Sequence, residues 1–375
     1  MNMATLAYRS AMLVVILMFG ITCGFDFAER GIAAEPEPAF VIVANGKGAG
    51  NYAAFPDVCR LNDGRLMCVF YASYHHIGLP KPEWPNGGRV AYCVSSDEGF
   101  SWSKPEVLFD GPDDDRDPSI VQLKNGRLIC NFFQLRRNAD RSLPCADPYQ
   151  EPYTPLGTWI VTSDDVGKTW SEPQRVAADY FVSSPVRELS TGRLVMPMYA
   201  EKAGTAFGAV SLSDDGGNTW SKPVDLINAG KTLDAETDLI EIKPGVLYAA
   251  LRGSHCPMHF VTSSDAGKTW SSARAVDFVA HSPYLHRTTD GVIVLGYRQV
   301  TDHMNTALRV SRDGGQIWSE PVVIDEVVGA YPSMVNLKDG STLVVYYEEG
   351  QNSNIRARRF RVTYAEVQFL PMGPQ

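Results

Sequence analysis

The stretch Ser-Ser-Asp-Glu-Gly-Phe-Ser-Trp at residues 95–102 decides the fold, because versions of it recur along the chain. The shared pattern is Ser-x-Asp-x-Gly-x-(Thr/Ser/Ile)-Trp, and its five copies occupy residues 95–102, 163–170, 213–220, 263–270 and 311–318. Successive tryptophans of the pattern are 68, 50, 50 and 48 residues apart. A repeat of about 50 residues in strand-rich sequence is typical of the blades of a β-propeller.

The residue types of this motif are those of a tight turn. The aspartate can accept hydrogen bonds from the amides of its own turn, and the glycine can adopt a positive φ. The tryptophan supplies a large apolar side chain. We therefore predict a clasp that joins two strands, with no catalytic role.

A second pattern alternates with the clasps. It consists of an apolar run, an Asx-Gly turn and another apolar run, and it usually begins with proline. Its six copies occupy residues 56–66, 118–128, 185–194, 237–247, 283–293 and 332–343, and the copy at 237–247 is a variant. Each copy predicts two strands joined by a tight turn. The chain is therefore predicted to be an all-β, six-bladed β-propeller with four-stranded antiparallel blades. The sixth blade has no clasp, and its outer strand is expected from residues 40–44 or from residues 365–370.

The N-terminus has the features of an export signal. Arg9 precedes an apolar run at residues 11–22, and small residues follow at 31–34. The run is shorter than the roughly 20 residues that cross a bilayer. We predict a signal peptide at residues 1–34 that is cleaved near Ala33 or Ala34, a single propeller at 35–375, and a secreted or periplasmic protein. An uncleaved N-terminal anchor is the alternative.

The composition limits the possible partners. The chain of 375 residues is 44% hydrophobic and 21% charged, with a net charge of −9 and no block of lysine or arginine. Non-specific nucleic-acid binding depends on neutralising phosphates, so nucleic acid is not an expected partner. No second apolar run is long enough for a stable membrane span.

The geometry of a four-stranded meander predicts which rim of the propeller carries a site. First strands begin and second strands end at one rim, whereas the clasps lie at the other. The residues that begin the first strands are Phe55, Asp117, Ser184, Glu236, Ser282 and Tyr331, with Arg116 and His281 one position earlier. The residues that end the second strands are Tyr71, Phe133, Tyr199, Arg252, Arg298 and Tyr347. Acids, a tyrosine and three arginines are therefore expected to converge on a central funnel.

The repeated Asp boxes on a six-unit β pattern resemble the sialidase (neuraminidase) superfamily over nearly all of residues 40–370. The resemblance implies a tyrosine nucleophile assisted by a glutamate, an aspartate as general acid and three arginines that hold a sugar carboxylate. Tyr331 in Ala-Tyr-Pro-Ser matches the nucleophile, and Glu236 matches the assisting glutamate. Arg252 matches one arginine, and Glu348 matches an acid that steadies another.

The sequence departs from this family in three places. Ala54 stands where the family has its first arginine, residues 302–305 lack the third, and the loop 71–89 has no aspartate to act as acid. Arg116 and Arg298 can rebuild an anion clamp with Arg252, since guanidinium groups pair with carboxylate or sulfate through two hydrogen bonds. Asp117 is the candidate general acid if apolar surroundings raise its pKa. In the alternative, Arg116–Asp117 or Arg298–Glu ion pairs only tie blades together.

Histidines also gather near this rim, namely His75, His76, His255, His281 and His303. Hydrogen bonding to sugar hydroxyls is the favoured interpretation, and we predict substrate-binding roles for His76, His281 and His303. A metal site is the alternative, although no fixed ligand spacing is present. No cofactor and no metal are predicted.

The expected function is that of an exo-acting glycoside hydrolase whose partner is a glycan or glycoconjugate. It would remove a terminal anionic sugar of sialic-acid-like, uronic or sulfated type. Two alternatives remain open at this point. One is a glycan-binding propeller without catalysis, and the other is a lyase-type enzyme that uses His281 or His303 as its base.

Overall fold

Within the part of the chain that the structure describes, strand pairing gives six antiparallel sheets, five of four strands and one of five. The computed structural model describes residues 39–139, 152–202, 205–226, 233, 236–253, 256–301, 303–350 and 353–373. The predicted signal peptide at 1–34 lies outside these residues. Within the described ranges, no helix is long and apolar enough to cross a membrane.

The first three blades follow one another along the chain. Blade one contains β2 (Tyr52–Arg60), β3 (Leu66–Ser73), β4 (Arg89–Ser95) and β5 (Glu106–Phe109). Blade two contains β6 (Asp114–Gln122), β7 (Leu128–Arg137), β8 (Tyr153–Ser163) and β9 (Gln174–Ala177). Blade three contains β10 (Arg187–Glu188), β11 (Leu194–Lys202), β12 (Thr205–Ser213) and β13 (Val224–Asp225).

The remaining blades repeat this order. Blade four contains β14 (Thr237–Lys243), β15 (Val246–Leu251), β16 (His259–Ser263) and β17 (Arg274–Ala275). Blade five contains β18 (Ala280–Arg287), β19 (Ile293–Gln299), β20 (Asn305–Ser311) and β21 (Val322–Asp325). Blade six contains β22 (Gly329–Asn336), β23 (Thr342–Glu348) and β24 (Asn354–Val362), with β1 (Val41–Asn45) and β25 (Val367–Leu370). A short 3-10 helix, Gly46–Ala49, follows β1. The predicted six-bladed β-propeller with four-stranded blades is confirmed.

Both ends of the chain complete the sixth blade. β1 pairs with the first half of β24, where Asn45 lies opposite Asn354 and Val41 opposite Ala357. β25 pairs with the second half, where Val367 lies opposite Val362. The two candidate outer strands therefore share one edge, because β24 is nine residues long and each of them covers about half of it. Pairing of the N-terminal strand with the last blade closes the ring and covers an edge that would otherwise be free.

The clasps form as predicted at the turns between third and fourth strands. In the first clasp, Asp97 accepts the amide of Ser101 at 2.9 Å, and the indole of Trp102 donates to the carbonyl of Gly99 at 3.1 Å. Glu98 and Gly99 both have positive φ, at 61° and 88°. Two successive left-handed residues produce the tight turn that these hydrogen bonds stabilise.

The hydrophobic core lies between neighbouring blades. One cluster packs Phe70 and Ala91 of blade one with Leu343 and Val345 of blade six. All eight residues of β3 are buried, because inner strands have another blade on each face. This explains the continuous apolar runs of the second sequence pattern.

A β-bulge opens four of the six blades. The pairing register shifts at this point in β2, β6, β18 and β22. The residue before the proline has positive φ in each case, with values of 52°, 48°, 52° and 45° for Phe55, Asp117, Ser282 and Tyr331. Such residues cost about 1–3 kcal/mol each and persist where the surroundings hold them. A bulge changes the direction of a side chain, and these four side chains all line a cavity on the propeller axis.

Candidate active site

Tyr331 of blade six and Glu236 of blade four meet at the propeller axis. The Tyr331 hydroxyl donates a hydrogen bond to Oε1 of Glu236. Arg252 lies 2.8 Å from the same oxygen, and the amide of Ser282 donates to Oε2 at 3.0 Å. The backbone of Arg252 also donates to the carbonyl of Glu236 at 3.0 Å, so the β14–β15 hairpin of blade four places these two residues side by side.

The electrostatics of this cluster keep the carboxylate charged and the phenol neutral. Burial alone would raise the pKa of Glu236, but Arg252, the Tyr331 hydroxyl and Arg298 together hold it below its usual value. Burial and the negative charges of Glu236 and Asp117 raise the pKa of Tyr331 well above its usual value. The resting pair is therefore a neutral phenol with a carboxylate ready to accept its proton.

Arg298 flanks Tyr331 from the fifth blade. Its guanidinium carbon lies 5.4 Å from the Tyr331 ring centroid, and its Nη2 lies 3.4 Å from the Tyr347 hydroxyl. Nε donates to the carbonyl of Gly329 at 2.5 Å. Among the residues that the structure describes, Arg298 forms no ion pair, so the Arg298–Glu alternative is not found. A half-buried guanidinium without a carboxylate partner is suited to binding an anion.

Arg116 and Asp117 are both buried beside the axis. Arg116 donates to the backbone carbonyl of His76 and lies 3.7 Å from both Asp114 and Asp117. Its guanidinium carbon also stands 5.1–5.6 Å from the ring centroids of Phe55, Tyr71 and Phe133. Arg116 therefore supports the His76 segment and has less freedom to bind a ligand than Arg298.

Asp117 has the properties of a carboxyl group that changes protonation near neutral pH. Burial raises the pKa of Asp117 to about 7. The charge of Arg116 opposes this increase, and the charge of Glu236 adds to it. Its Oδ1 atom is buried and has no hydrogen-bond partner within the described part of the chain. Arg116 at 3.7 Å is too distant for a hydrogen bond to this buried oxygen, which is costly, and a ligand hydroxyl could supply one.

Glu348, the last residue of β23, and Glu349, which follows it, face opposite sides of the sheet. Glu348 pairs with Arg356 at 2.5 Å, on the side away from Tyr331. Glu349 instead accepts hydrogen bonds from the hydroxyls of Tyr52 and Tyr347, each at 2.8 Å. The structure therefore places Glu349, and not the predicted Glu348, on the funnel side. The period of two along a strand was the available signal, since Tyr347 is at a funnel position and Glu349 lies two residues on.

The predicted histidines occupy different places. His281 lies 3.2 Å from Arg252 through Nδ1 and is the strand partner of Arg298. His76 lies 2.8 Å from the Tyr52 hydroxyl through Nδ1. His303 is exposed, and its backbone amide donates to the carbonyl of Thr301 at 2.8 Å, so the structure does not bring it to the Tyr331 cluster. His255 lies outside the described residues.

The floor of the funnel is closed. Prolines 56, 118, 283 and 332 surround a free space of about 10 Å³ on the axis, which is about the room that one water needs. A ligand must therefore lie above this ring, on the rim that carries Tyr331. In the described ranges, no group of three or more His, Cys, Asp or Glu side chains is arranged to hold a metal ion.

The fold and the site define an Asp-box propeller with a tyrosine–glutamate pair on its axis. The BNR repeat-like domain matches residues 145–345, and the chain belongs to this family. A sialidase of Bacteroides fragilis is 24% identical over 342 residues, which are 80% of this chain and 61% of that protein. The chain thus spans less than two thirds of that relative. The predicted resemblance to the sialidase superfamily is confirmed.

Solved structures show the same fold. A Dyadobacter fermentans protein of unknown function is 21% identical with a TM-score of 0.74, covering 89% of this chain and 99% of its own. The NanB sialidase of Streptococcus pneumoniae is 14% identical with a TM-score of 0.65, covering 85% of this chain and 70% of its own. At these identities the likeness concerns the fold alone.

Proposed function

We propose that this protein is an exo-acting glycoside hydrolase that removes a terminal anionic sugar of the sialic-acid type from a glycan. The observation that carries the proposal is the hydrogen bond from Tyr331 to Glu236, with Arg252 on the same carboxylate. A phenol that is hydrogen-bonded to a charged carboxylate is an activated nucleophile, because the carboxylate can accept its proton. The sialidase relative in Bacteroides fragilis supports the substrate class. The export signal predicted at residues 1–34 supports action outside the cytoplasm.

The proposed reaction uses three side chains of the cluster. The Tyr331 oxygen attacks the anomeric carbon while its proton passes to Glu236, and the bond to the leaving oxygen breaks. Asp117 gives its proton to the leaving oxygen. Water then attacks the anomeric carbon and gives a proton to Asp117, the bond to the tyrosine breaks, and Glu236 returns the phenolic proton. Two displacements at one carbon retain the anomeric configuration.

Arg252 and Arg298 are proposed to hold the anionic group of the sugar. Both lie close enough to Tyr331 to lower its pKa, opposing the effect of burial. A carboxylate near a negatively charged nucleophile would be repelled, which is the chemical reason for a neutral phenol at this place. The charged guanidinium groups keep the sugar in position while the phenol attacks.

The test is turnover of aryl glycosides by the protein and its Tyr331→Phe variant. The panel contains sialosides, uronides, sulfated glycosides and neutral glycosides. We expect cleavage of an anionic member with retention and a fall in kcat of about 1000-fold or more in the variant. Full activity of Tyr331→Phe would contradict the proposal. Glycan binding without cleavage would identify a binding propeller, and an unsaturated product absorbing in the ultraviolet would identify a lyase.

A further inference from the structure

A second cavity lies beside the Tyr331 cluster, between the first and sixth blades. It has a volume of about 610 Å³, within the range of roughly 300–1,000 Å³ that small-ligand sites occupy. Tyr52, Tyr74, His76 and Glu349 line it, and we call it the rim cavity. It opens on the rim at which first strands begin and second strands end, which we call the working rim. Tyr52 begins β2, and Glu349 follows the end of β23.

The rim cavity lies one aromatic ring away from Tyr331. The ring centroid of Phe55 is 5.2 Å from that of His76 and 4.8 Å from that of Tyr331. The Phe55 side chain is buried between them. A ligand that has one unit over Tyr331 can therefore have its next unit over Phe55 and beside His76.

The hydrogen-bond network fixes the orientation of His76. The Tyr52 hydroxyl gives its own proton to Oε2 of Glu349 at 2.8 Å and lies 2.8 Å from Nδ1 of His76. Nδ1 must therefore carry the hydrogen of that contact, because the only proton of Tyr52 is already used. Nε2 of the neutral ring is then an acceptor, and no side chain in the described ranges bonds to it. The His76 side chain is 42% exposed, so this acceptor is accessible.

Glu349 adds a second acceptor and the negative charge of the cavity. Tyr52 and Tyr347 both donate to its Oε2, whereas Oε1 has no bond among the residues that the structure describes. Burial would raise the pKa of Glu349, but the His76 ring, whose Nδ1 lies 3.4 Å from Oε2, and the hydroxyls of Tyr52 and Tyr347 lower it to about 2. Burial also lowers the pKa of His76, with a further decrease from Arg116 and Arg298 and an opposing effect of Glu349. At neutral pH the cavity thus offers two acceptors and one negative charge.

We propose that the rim cavity binds the uncharged sugar to which the terminal anionic sugar is linked, with His76 Nε2 and Glu349 Oε1 accepting hydrogen bonds from its hydroxyls. Acceptors at both positions match hydroxyl donors, and the aromatic walls of Tyr52 and Tyr74 match the apolar face of a sugar ring. The carboxylate disfavours an anionic unit, which the arginines of the funnel favour. This inference rests on the proposed function, since it names the leaving group of that reaction.

The test compares leaving groups in the His76→Phe variant, which keeps a ring against Phe55 and removes both nitrogens. The substrates share one terminal sialic acid, linked either to a neutral hexose or to methanol. We expect kcat/KM for the hexose-linked substrate to fall about 3- to 10-fold more than kcat/KM for the methyl glycoside, the usual effect of one lost hydrogen bond. An equal fall for both substrates would overturn the inference. Methanol is about as poor a leaving group as a sugar hydroxyl, but it has no ring hydroxyls that His76 could bind.

Charge selection is tested with Glu349→Gln and the exposed Glu366→Gln as its matched control. We expect Glu349→Gln to reduce the preference for a hexose-linked over a uronate-linked substrate, and Glu366→Gln to leave that preference unchanged. An unaltered preference in Glu349→Gln contradicts the role of its charge. Glu366 lies in the turn between β24 and β25, where Thr363 donates to its backbone, and it does not line the rim cavity.

A binding measurement separates this inference from the proposed function. Saturation-transfer NMR is recorded with methyl galactoside and methyl N-acetylglucosaminide on the wild-type protein, Tyr331→Phe and His76→Phe. We expect transfer to the first two proteins and clearly weaker transfer to His76→Phe, whether or not any substrate is cleaved. Transfer of equal strength in His76→Phe, or no transfer to the wild-type protein, overturns the sugar site even if hydrolysis is established.

Discussion

The hydroxyl of Tyr331 donates to the carboxylate of Glu236, a residue 95 positions earlier in the chain and two blades away. The same carboxylate also contacts the guanidinium of Arg252 and the amide of Ser282. Parts of blades four, five and six therefore meet at a single acid. Each blade is a rigid sheet that packs against its neighbours. The packing of the whole ring therefore fixes the position of the Glu236 carboxylate.

Replacement of Glu236 by glutamine is expected to lower kcat about 10²- to 10⁴-fold, because an amide cannot take the phenolic proton. KM should change little, since the amide oxygen can still accept from Arg252. The measurement is steady-state turnover of the aryl glycoside that the wild-type protein cleaves. The double variant with Tyr331→Phe should be no slower than Tyr331→Phe alone, because the two residues act as a unit. Multiplicative losses would show that they act independently.

Activity is expected to fall as pH rises above about 7, the value to which burial raises the pKa of Asp117. Above that pH the acid form of Asp117 becomes scarce, so kcat/KM should drop about tenfold per pH unit. The pKa of Glu236 lies below its usual value, which keeps the base charged throughout this range. Asp117→Asn should be slower overall and should lack the alkaline limb. An alkaline limb that persists in Asp117→Asn would assign the acid to another group.

Arg298→Met is expected to reduce kcat/KM for an anionic substrate by about 10- to 100-fold, the effect of losing a charge-assisted hydrogen bond. A neutral analogue of the same sugar should be affected much less. Arg309→Met is the control, because Arg309 lies in β20 of the same blade and donates to Tyr297 and Ser319. Equal losses on charged and neutral substrates would mean that Arg298 acts by supporting Tyr331 and Tyr347, and not by binding the anion.

The two glycines of the fifth clasp are expected to differ in tolerance to alanine. Gly314 and Gly315 both have positive φ, but a Cβ on Gly315 would lie 2.5 Å from the ring of Tyr248, whereas one on Gly314 would meet nothing within 4 Å. Gly315→Ala should therefore destabilise by about 1–3 kcal/mol more than Gly314→Ala. The equivalent of Gly314 is Glu98, Val166 or Ala266 in other clasps.

Thermal or denaturant unfolding checks this prediction, with kcat measured in parallel. Both glycine variants should keep the activity of the wild-type protein, because the clasps lie at the rim opposite to Tyr331. Equal stability of the two variants would show that the Tyr248 ring yields to the added methyl group. A loss of activity without a loss of stability would mean that the clasp contributes to catalysis.

The fold could be predicted from the chain because its information is local and repeated. Each clasp specifies its own turn, as the bond from Ser101 to Asp97 shows, and each Asx-Gly pair specifies a hairpin. Five clasps and six hairpins then allow one closed arrangement. The same spacing predicts that Tyr331 and Glu236 begin first strands and that Arg252 ends a second strand, so all three are expected at one rim.

The spacing of the motifs does not predict the direction in which an individual side chain points. Arg116 was a candidate for the anion clamp, but it lies among three rings and bonds to the carbonyl of His76. The family resemblance pointed to Glu348, whereas strand alternation places Glu349 on the funnel side. The bulge that directs Tyr331 and Asp117 inward cannot be predicted from the proline that follows each of them. Proline also follows Ser184, and Ser184 does not have a positive φ.

The amino-acid order thus determined the number of blades, their turns and the set of side chains at the working rim, since these depend on neighbours within one hairpin. Only the tertiary structure decided how blade six is completed, with β1 and β25 sharing the edge of β24. It also decided which acid faces Tyr52 and that His76 presents Nε2 to a cavity. These outcomes depend on groups that are distant in sequence, and their positions are fixed only when the ring has closed and buried them together.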